Sequence, residues 1–255
     1  TTAPGTAPDQ NPSQPQPTTP ADSFRQPTVL RSAGGRLDVA LVAAPTSVVI
    51  GTTTVAALTY SGGLPGPTLI VRPGDVLGVT LENALADPTN LHTHGLHVSP
   101  EGSSDNVFRR IDPGASASYT YELPANHPPG VYWYHPHHHG MAAAQVFGGL
   151  YGAIIVEELV PLDVTTERVL VISDITFDTA GQVAGASRMD QINGREGTTV
   201  LLNGQTRSTV AAASGDRERW RIINACSSRY LRLTLDGQAM QLLGMDSGRF
   251  ATPRD

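Results

Sequence analysis

The sequence has little charge, one cysteine and no long apolar run, and each shortage closes off a class of protein. Charged residues fill 16% of the 255 positions, and the net charge is −6 with histidines neutral. There is no basic stripe of the kind that tracks a nucleic-acid backbone. The densest arginine stretch, "DRERWRIINACSSRYLRLTLD" over 216–236, alternates charged with apolar residues and reads as the solvated face of a sheet. The single cysteine, Cys226, excludes an intrachain disulfide. No apolar run reaches the length of a bilayer-spanning helix. No stretch keeps apolar residues at helical period over several turns, and histidine is absent outside 92–139.

What is present favours β structure. Apolar residues make up 39%, with 26 glycines and 20 prolines to punctuate them. Residues 1–27, rich in Thr, Pro and Gln, hold too little apolar surface to offset their ordering entropy, and a disordered arm is expected there. The chain begins at Thr1 with no charged-then-apolar leader. Such Pro/Thr arms accompany exported proteins from which a leader has been removed, so export (periplasmic, cell-surface or secreted) is the expectation. Alternating or apolar stretches at 36–45, 53–60, 67–83, 116–123, 130–135 and 150–158 predict strands of a first antiparallel sandwich over 28–160. One short helix is expected near 141–147. Strand rhythm restarts at 161, with strands expected at 167–178, 198–205, 219–225 and 229–237 and a hairpin beginning at 240. A second sandwich over 161–255, apparently truncated, is the expectation.

The eight histidines gather in two groups, with His127 alone between them. "NLHTHGLH" holds His92, His94 and His97; "YHPHHHG" holds His135, His137, His138 and His139. On extended backbone, residues i and i+2 project from one face. Two His-x-His pairs on neighbouring segments can therefore converge four imidazoles, His92, His94, His135 and His137, on a small volume. A donor set of imidazoles without carboxylate or thiolate suits copper, zinc, nickel or iron. Zinc hydrolysis would want a carboxylate, and none lies inside either group; the nearest downstream acids are Glu101 and Asp105. His97 and His127 read as a side-chain contact and a loop imidazole. His138 falls on the opposite face from His137, and His139 is a candidate supporting group.

These residues resemble a known family. "LHTHGLHVSPEGSSDNVF" followed by "IDPGASASYTYELPANHPPGVYWYHPHHHG" resembles the first domain of the multicopper oxidases, the laccase-like blue copper enzymes. "GPTLIVRPGD" resembles the strand pair ahead of their first histidine motif, and "LLNGQ" with "ERWRIINACSSRYLRLTLDGQAMQLLGMDSG" resembles their second domain. The resemblance implies an all-β fold of cupredoxin-like Greek-key β-sandwiches. It implies one-electron oxidation of a reducing substrate such as a phenol, amine or metal ion, coupled to four-electron reduction of dioxygen to water. His92 matches the type 2 copper ligand, and His94, His135 and His137 match ligands of the type 3 pair. Asp105 lies where such enzymes keep a proton-delivering carboxylate, though a turn-forming Asp in "SSDN" explains it equally well.

The departures from that pattern shape the functional expectation. A complete trinuclear cluster takes eight histidines, and four stand here; a His-Cys-His stretch, which supplies the type 1 copper ligand, is missing. Cys226 has no flanking histidine and reads as a small core or edge residue. The expectation is half a trinuclear cluster, to be completed by a C-terminal cupredoxin domain of a longer enzyme or by a partner subunit, with no turnover by these residues alone. The alternative is a non-catalytic copper-binding or assembly module. A two-domain copper nitrite reductase fits poorly, since it needs a cysteine near the second histidine motif. Four scattered methionines argue against a Met-rich cuprous-ion site.

Overall fold

The computed structural model describes residues 23–246 and 248–254. Fourteen strands and two short helices are assigned among them. Strand β2 (Arg36–Ile50) alternates buried and exposed residues along its first half, and forms a hairpin with β3 (Thr53–Tyr60). With β5 (Val76–Asn83) and β7 (Ser116–Glu122) they make a four-stranded sheet in the order β3-β2-β5-β7. Facing it is a five-stranded sheet, β1-β4-β9-β8-β6, built from β1 (Val29–Arg31), β4 (Thr68–Val71), β6 (His92–His94), β8 (Gly130–His135) and β9 (Gly152–Val156). The core lies between them. Leu37, Val39 and Leu41 of β2, Leu77, Val79 and Leu81 of β5, and Tyr119 and Tyr121 of β7 meet Tyr132 and Tyr134 of β8 and Ile154 and Val156 of β9.

The pairing is mixed rather than purely antiparallel as the alternation suggested. β2 with β5, β1 with β4, and β4 with β9 run parallel. Apart from the β2–β3 and β8–β9 pairs, consecutive strands of the sandwich mostly alternate between the two sheets, so most neighbours within a sheet come from distant parts of the chain, which alternation within one strand cannot reveal.

A third layer covers part of the outer face of the five-stranded sheet. β10 (Thr166–Ile175) pairs with β11 (Thr199–Leu202) on one side and, in parallel, with β12 (Glu218–Asn224) on the other. Val171, Ile223 and Ala225 of this layer pack on Tyr151, Ala153, Val131 and Trp133. Beyond it, β13 (Leu242–Gly244) and β14 (Arg249–Arg254) form the expected hairpin. The strand expected over 229–237 is not formed. Its alternate leucines, Leu233 and Leu235, are exposed, and among the described residues no strand pairs with them to create a face worth burying. Helix α1 (Ala142–Gly148) falls where the one short helix is expected, and a second helix, α2 (Arg188–Asn193), forms in the connection between β10 and β11. The capping box of Ser187 and Asp190, which starts α2, is its local signal in the sequence.

Of the arm expected over 1–27, residues 1–22 lie outside the described residues. Residues 25 and 26 meet β10 and Asn203 through side-chain amides. Gln26 donates to the Glu167 carbonyl and accepts from the Val169 N–H, while Asn203 donates to the Arg25 carbonyl. No helix among the described residues is long and apolar enough to cross a membrane.

Candidate metal centre

The centre forms where β6 meets the end of β8. They pair antiparallel, with His92 opposite His135, Thr93 opposite Tyr134 and His94 opposite Trp133. Alternation then assigns the faces. Tyr132 and Tyr134 point into the core, so Trp133 and His135 point out, together with His92 and His94. The imidazoles thus stand on the outer face of the five-stranded sheet, on its terminal strand pair.

Ligand nitrogens of His92, His94 and His135 all lie within 4.8 Å of one another. Their ring centroids are 5.2 Å apart for His92–His135, 5.7 Å for His92–His94 and 5.8 Å for His94–His135. His137 stands beside this trio, its ring 5.1 Å from that of His92 and 6.2 Å from that of His135. His135 is buried, His92 half-buried, and His94 and His137 exposed, so the cluster is open on one side. Trp133 forms its floor, 4.1 Å from the His135 ring and 5.4 Å from the His94 ring.

Hydrogen bonds decide which nitrogen of each ring is free. His135 Nδ1 lies 2.9 Å from the Pro136 carbonyl, an acceptor, so Nδ1 carries the proton and Nε2 keeps its lone pair. Among the described residues, that Nε2 is buried without a partner. Burial, above all, lowers the His135 pKa to about 3, against the raising effect of the Pro136 bond and with the help of His92, His94 and His137, so the ring is neutral at ordinary pH. His92 Nδ1 is 3.0 Å from Asp105 Oδ1 and 2.9 Å from Oδ2. Asp105 also accepts from the Thr93 N–H at 2.8 Å. The carboxylate therefore holds the proton on His92 Nδ1 and turns Nε2 toward the other rings. Burial also lowers the pKa of His94, assisted by His92 and opposed by Asp246 and Asp105. The two carboxylates differ in origin: Asp105 comes from the loop after the first motif, Asp246 from the β13–β14 turn. Sequence reading missed Asp246 because nothing local ties that turn to the histidines.

The remaining histidines do other work. His127 is buried with both nitrogens engaged: Nδ1–H donates to the Pro128 carbonyl at 2.9 Å, and Nε2 accepts from the His97 N–H at 3.0 Å. It is a loop brace, as expected of it. The His138 carbonyl accepts from the Met141 and Ala142 N–H groups and so leads into α1, and His139 is exposed. Cys226 lies in the third layer, half-buried, its thiol pushed up to about 12 by burial and by Asp174.

The donor set fits a metal ion of intermediate softness. It is all nitrogen, and it contains a buried lone pair that no donor among the described residues satisfies. A β-sandwich that presents paired imidazoles from adjacent strand ends is the arrangement of a metal-binding β protein. Comparison with known proteins narrows the class. A family profile described as multicopper oxidase matches residues 42–160. A multicopper oxidase of Staphylococcus haemolyticus is 30% identical over 200 residues, covering 75% of this chain and 43% of that protein. The multicopper oxidase MmcO of Mycobacterium tuberculosis is 27% identical over 248 residues, covering 84% and 47%. Among solved structures, a multicopper oxidase of Campylobacter jejuni described as a metallo-oxidase superposes with a TM-score of 0.77 at 32% identity, covering 91% of this chain and 50% of that one. The chain belongs to the multicopper oxidase family. It spans about half the length of these relatives.

Proposed function

We propose that His92, His94, His135 and His137 form one half of a trinuclear copper centre in an exported multicopper oxidase. The observation that carries this reading is the trio of imidazole nitrogens within 4.8 Å that includes a buried, unpartnered His135 Nε2. Copper held there supplies reversible one-electron chemistry, which in this family couples oxidation of a reducing substrate to reduction of dioxygen to water. His92 is assigned to the type 2 position through Nε2, since Asp105 occupies its other nitrogen. His94, His135 and His137 are assigned to the type 3 pair. Trp133 closes the floor of the cluster and keeps water from the inner side of His135. Asp105, in contact with His92, is assigned the hand-over of protons at the centre.

These residues hold four of the imidazoles such a centre needs and no His-Cys-His stretch. The other ligands and the type 1 copper are proposed to come from a further cupredoxin domain or a partner subunit, on the side where His94 and His137 are exposed. Residues 28–160 are proposed as one cupredoxin unit and 161–255 as part of a second. Without the further ligands, the chain is expected to bind copper but not to consume oxygen with a phenol, amine or metal ion as reductant.

The test is copper(II) titration of the 255-residue chain, followed by electron paramagnetic resonance. Nitrogen hyperfine structure from imidazoles is expected, with affinity lost at least tenfold in His135→Ala. Equal binding by the parent and by a His92→Ala/His135→Ala double variant would overturn the assignment. Steady oxygen consumption by the isolated chain would overturn the need for a second half.

A further inference from the structure

Asn90 stands two residues before His92 and is fully buried. Its amide makes three hydrogen bonds to two segments beside the centre. Oδ1 accepts from the His137 N–H at 2.7 Å. Nδ2 donates to the carbonyls of Val107 at 2.8 Å and Arg109 at 3.1 Å. One side chain thus ties the strand of His92 and His94 to the loop that follows Asp105 and to the turn that carries His137.

The bond to His137 matters most. His92, His94 and His135 are placed by the β6–β8 ladder. His137 lies beyond the end of β8, after Pro136, which has no N–H to donate. The His137 side chain is exposed, and among the described residues its N–H to Asn90 is the one hydrogen bond it makes. Farther along, α1 is fastened to the same stretch of chain: Gln145 Nε2 donates to the Pro88 carbonyl at 2.9 Å, and Gln145 Oε1 accepts from Thr89 Oγ1 at 2.8 Å. The turn between β8 and α1 is therefore pegged at its far end by Gln145 and at His137 by Asn90.

We propose that Asn90 is a positioning residue of the metal centre: its Oδ1 holds the backbone of His137 so that a fourth imidazole stands within range of the other three. This rests on the reading of the four histidines as copper ligands. It makes the count of bound imidazoles depend on a side chain that itself touches no metal.

A matched control exists in the same sandwich. Asn83 is equally buried and makes the same pattern of bonds, donating to the Asp87 and Ile111 carbonyls and accepting from the Leu85 N–H, with no direct hydrogen bond to either histidine motif among the described residues. The experiment loads copper(II) into the full chain and into Asn90→Ala, Asn90→Asp, Asn83→Ala and His137→Ala. It reads affinity by chelator competition and the number of coordinated imidazoles by electron spin-echo modulation. Asn90→Ala is expected to match His137→Ala, with one imidazole fewer and affinity lowered about 10–100-fold, the usual effect of losing a group behind a ligand. Asn90→Asp keeps the acceptor for His137 and is expected to retain the parent imidazole count. Asn83→Ala is expected to lose stability and keep the parent signal. A folded Asn90→Ala with the parent signal would overturn the proposal, as would the same loss of imidazole in Asn83→Ala. If Asn90→Ala does not fold, amide exchange in the parent chain decides: a protected His137 amide supports the peg, and a freely exchanging one removes it. Failure of the underlying reading looks different, since the parent and His137→Ala would then give identical copper signals.

Discussion

His127 and His135 are both buried imidazoles that donate Nδ1–H to the carbonyl of the proline that follows them. They differ at Nε2. In His127 it accepts from the His97 N–H; in His135 it has no partner among the described residues. A buried acceptor without a donor costs on the order of 1–3 kcal/mol, so His135 is a site waiting for a cation where His127 is a finished brace. His127→Ala should therefore lower stability by about 1–3 kcal/mol in urea unfolding while leaving the copper stoichiometry of the chain unchanged. Asp105→Ala should do the reverse in emphasis. It frees His92 to take either tautomer, and copper affinity measured by chelator competition should fall about 10–100-fold. No change in affinity would show that the Asp105–His92 contact is not what orients the ring.

At the scale of elements, β8 is the strand that joins core to site. Its even-numbered tyrosines fill the sandwich and its odd-numbered Trp133 and His135 face outward. Tyr134 is held from both sides: its hydroxyl donates to the Pro67 carbonyl at 2.8 Å, and its ring lies over Gly152 of β9. A Cβ on Gly152 would run into that ring. Gly152→Ala should cost about 1–3 kcal/mol, the range for overpacking a filled core, read as a lower urea midpoint. Because Tyr134 precedes His135, the variant should also weaken copper binding, and an unchanged affinity would uncouple the strand from the site. Much of this element was legible in the sequence. "GVYWYHPHHHG" states the strand, its alternation and its terminal histidines, and the strand occupies the residues expected of it. The expected strand over 229–237 has similar alternation and is not formed, because alternation describes a strand only where another element supplies the face to bury it.

At the scale of the molecule, an ionic cluster clasps the third layer to the sandwich. Glu158, just past β9, pairs with Arg219 and Arg221 of β12, and both arginines also reach Glu167 of β10. Burial alone would push the Glu158 pKa up. Hydrogen bonds from Arg219 and its own backbone, with the charges of Arg221 and Arg219, outweigh it and hold the carboxyl at about 2. A depressed folded-state pKa contributes stability above the unfolded value of roughly 4.3, and that contribution fades as pH falls toward 2. Unfolding midpoints should therefore drop between about pH 4.5 and 2, and Glu158→Gln should flatten that part of the profile. At neutral pH the same variant leaves two buried guanidinium groups short of a partner and should destabilise by about 3 kcal/mol or more. An acid profile identical to the parent's would place the sensitive carboxylate elsewhere.

The sequence by itself determined the β class, the position of most strands, and the two His-x-His pairs whose alternation puts each pair on one face. These are local properties, set by a period of two residues along a single strand. Tertiary structure alone decided which strands are neighbours, and so that His92 lies opposite His135 and that several pairs run parallel. It also decided which lone pair stays free, because the Asp105, Pro136 and Asn90 contacts that orient the histidine motifs depend on where separate loops come to rest. Hydrogen-bond partners distant along the chain leave no period or motif in the sequence; they exist only once the layers have packed.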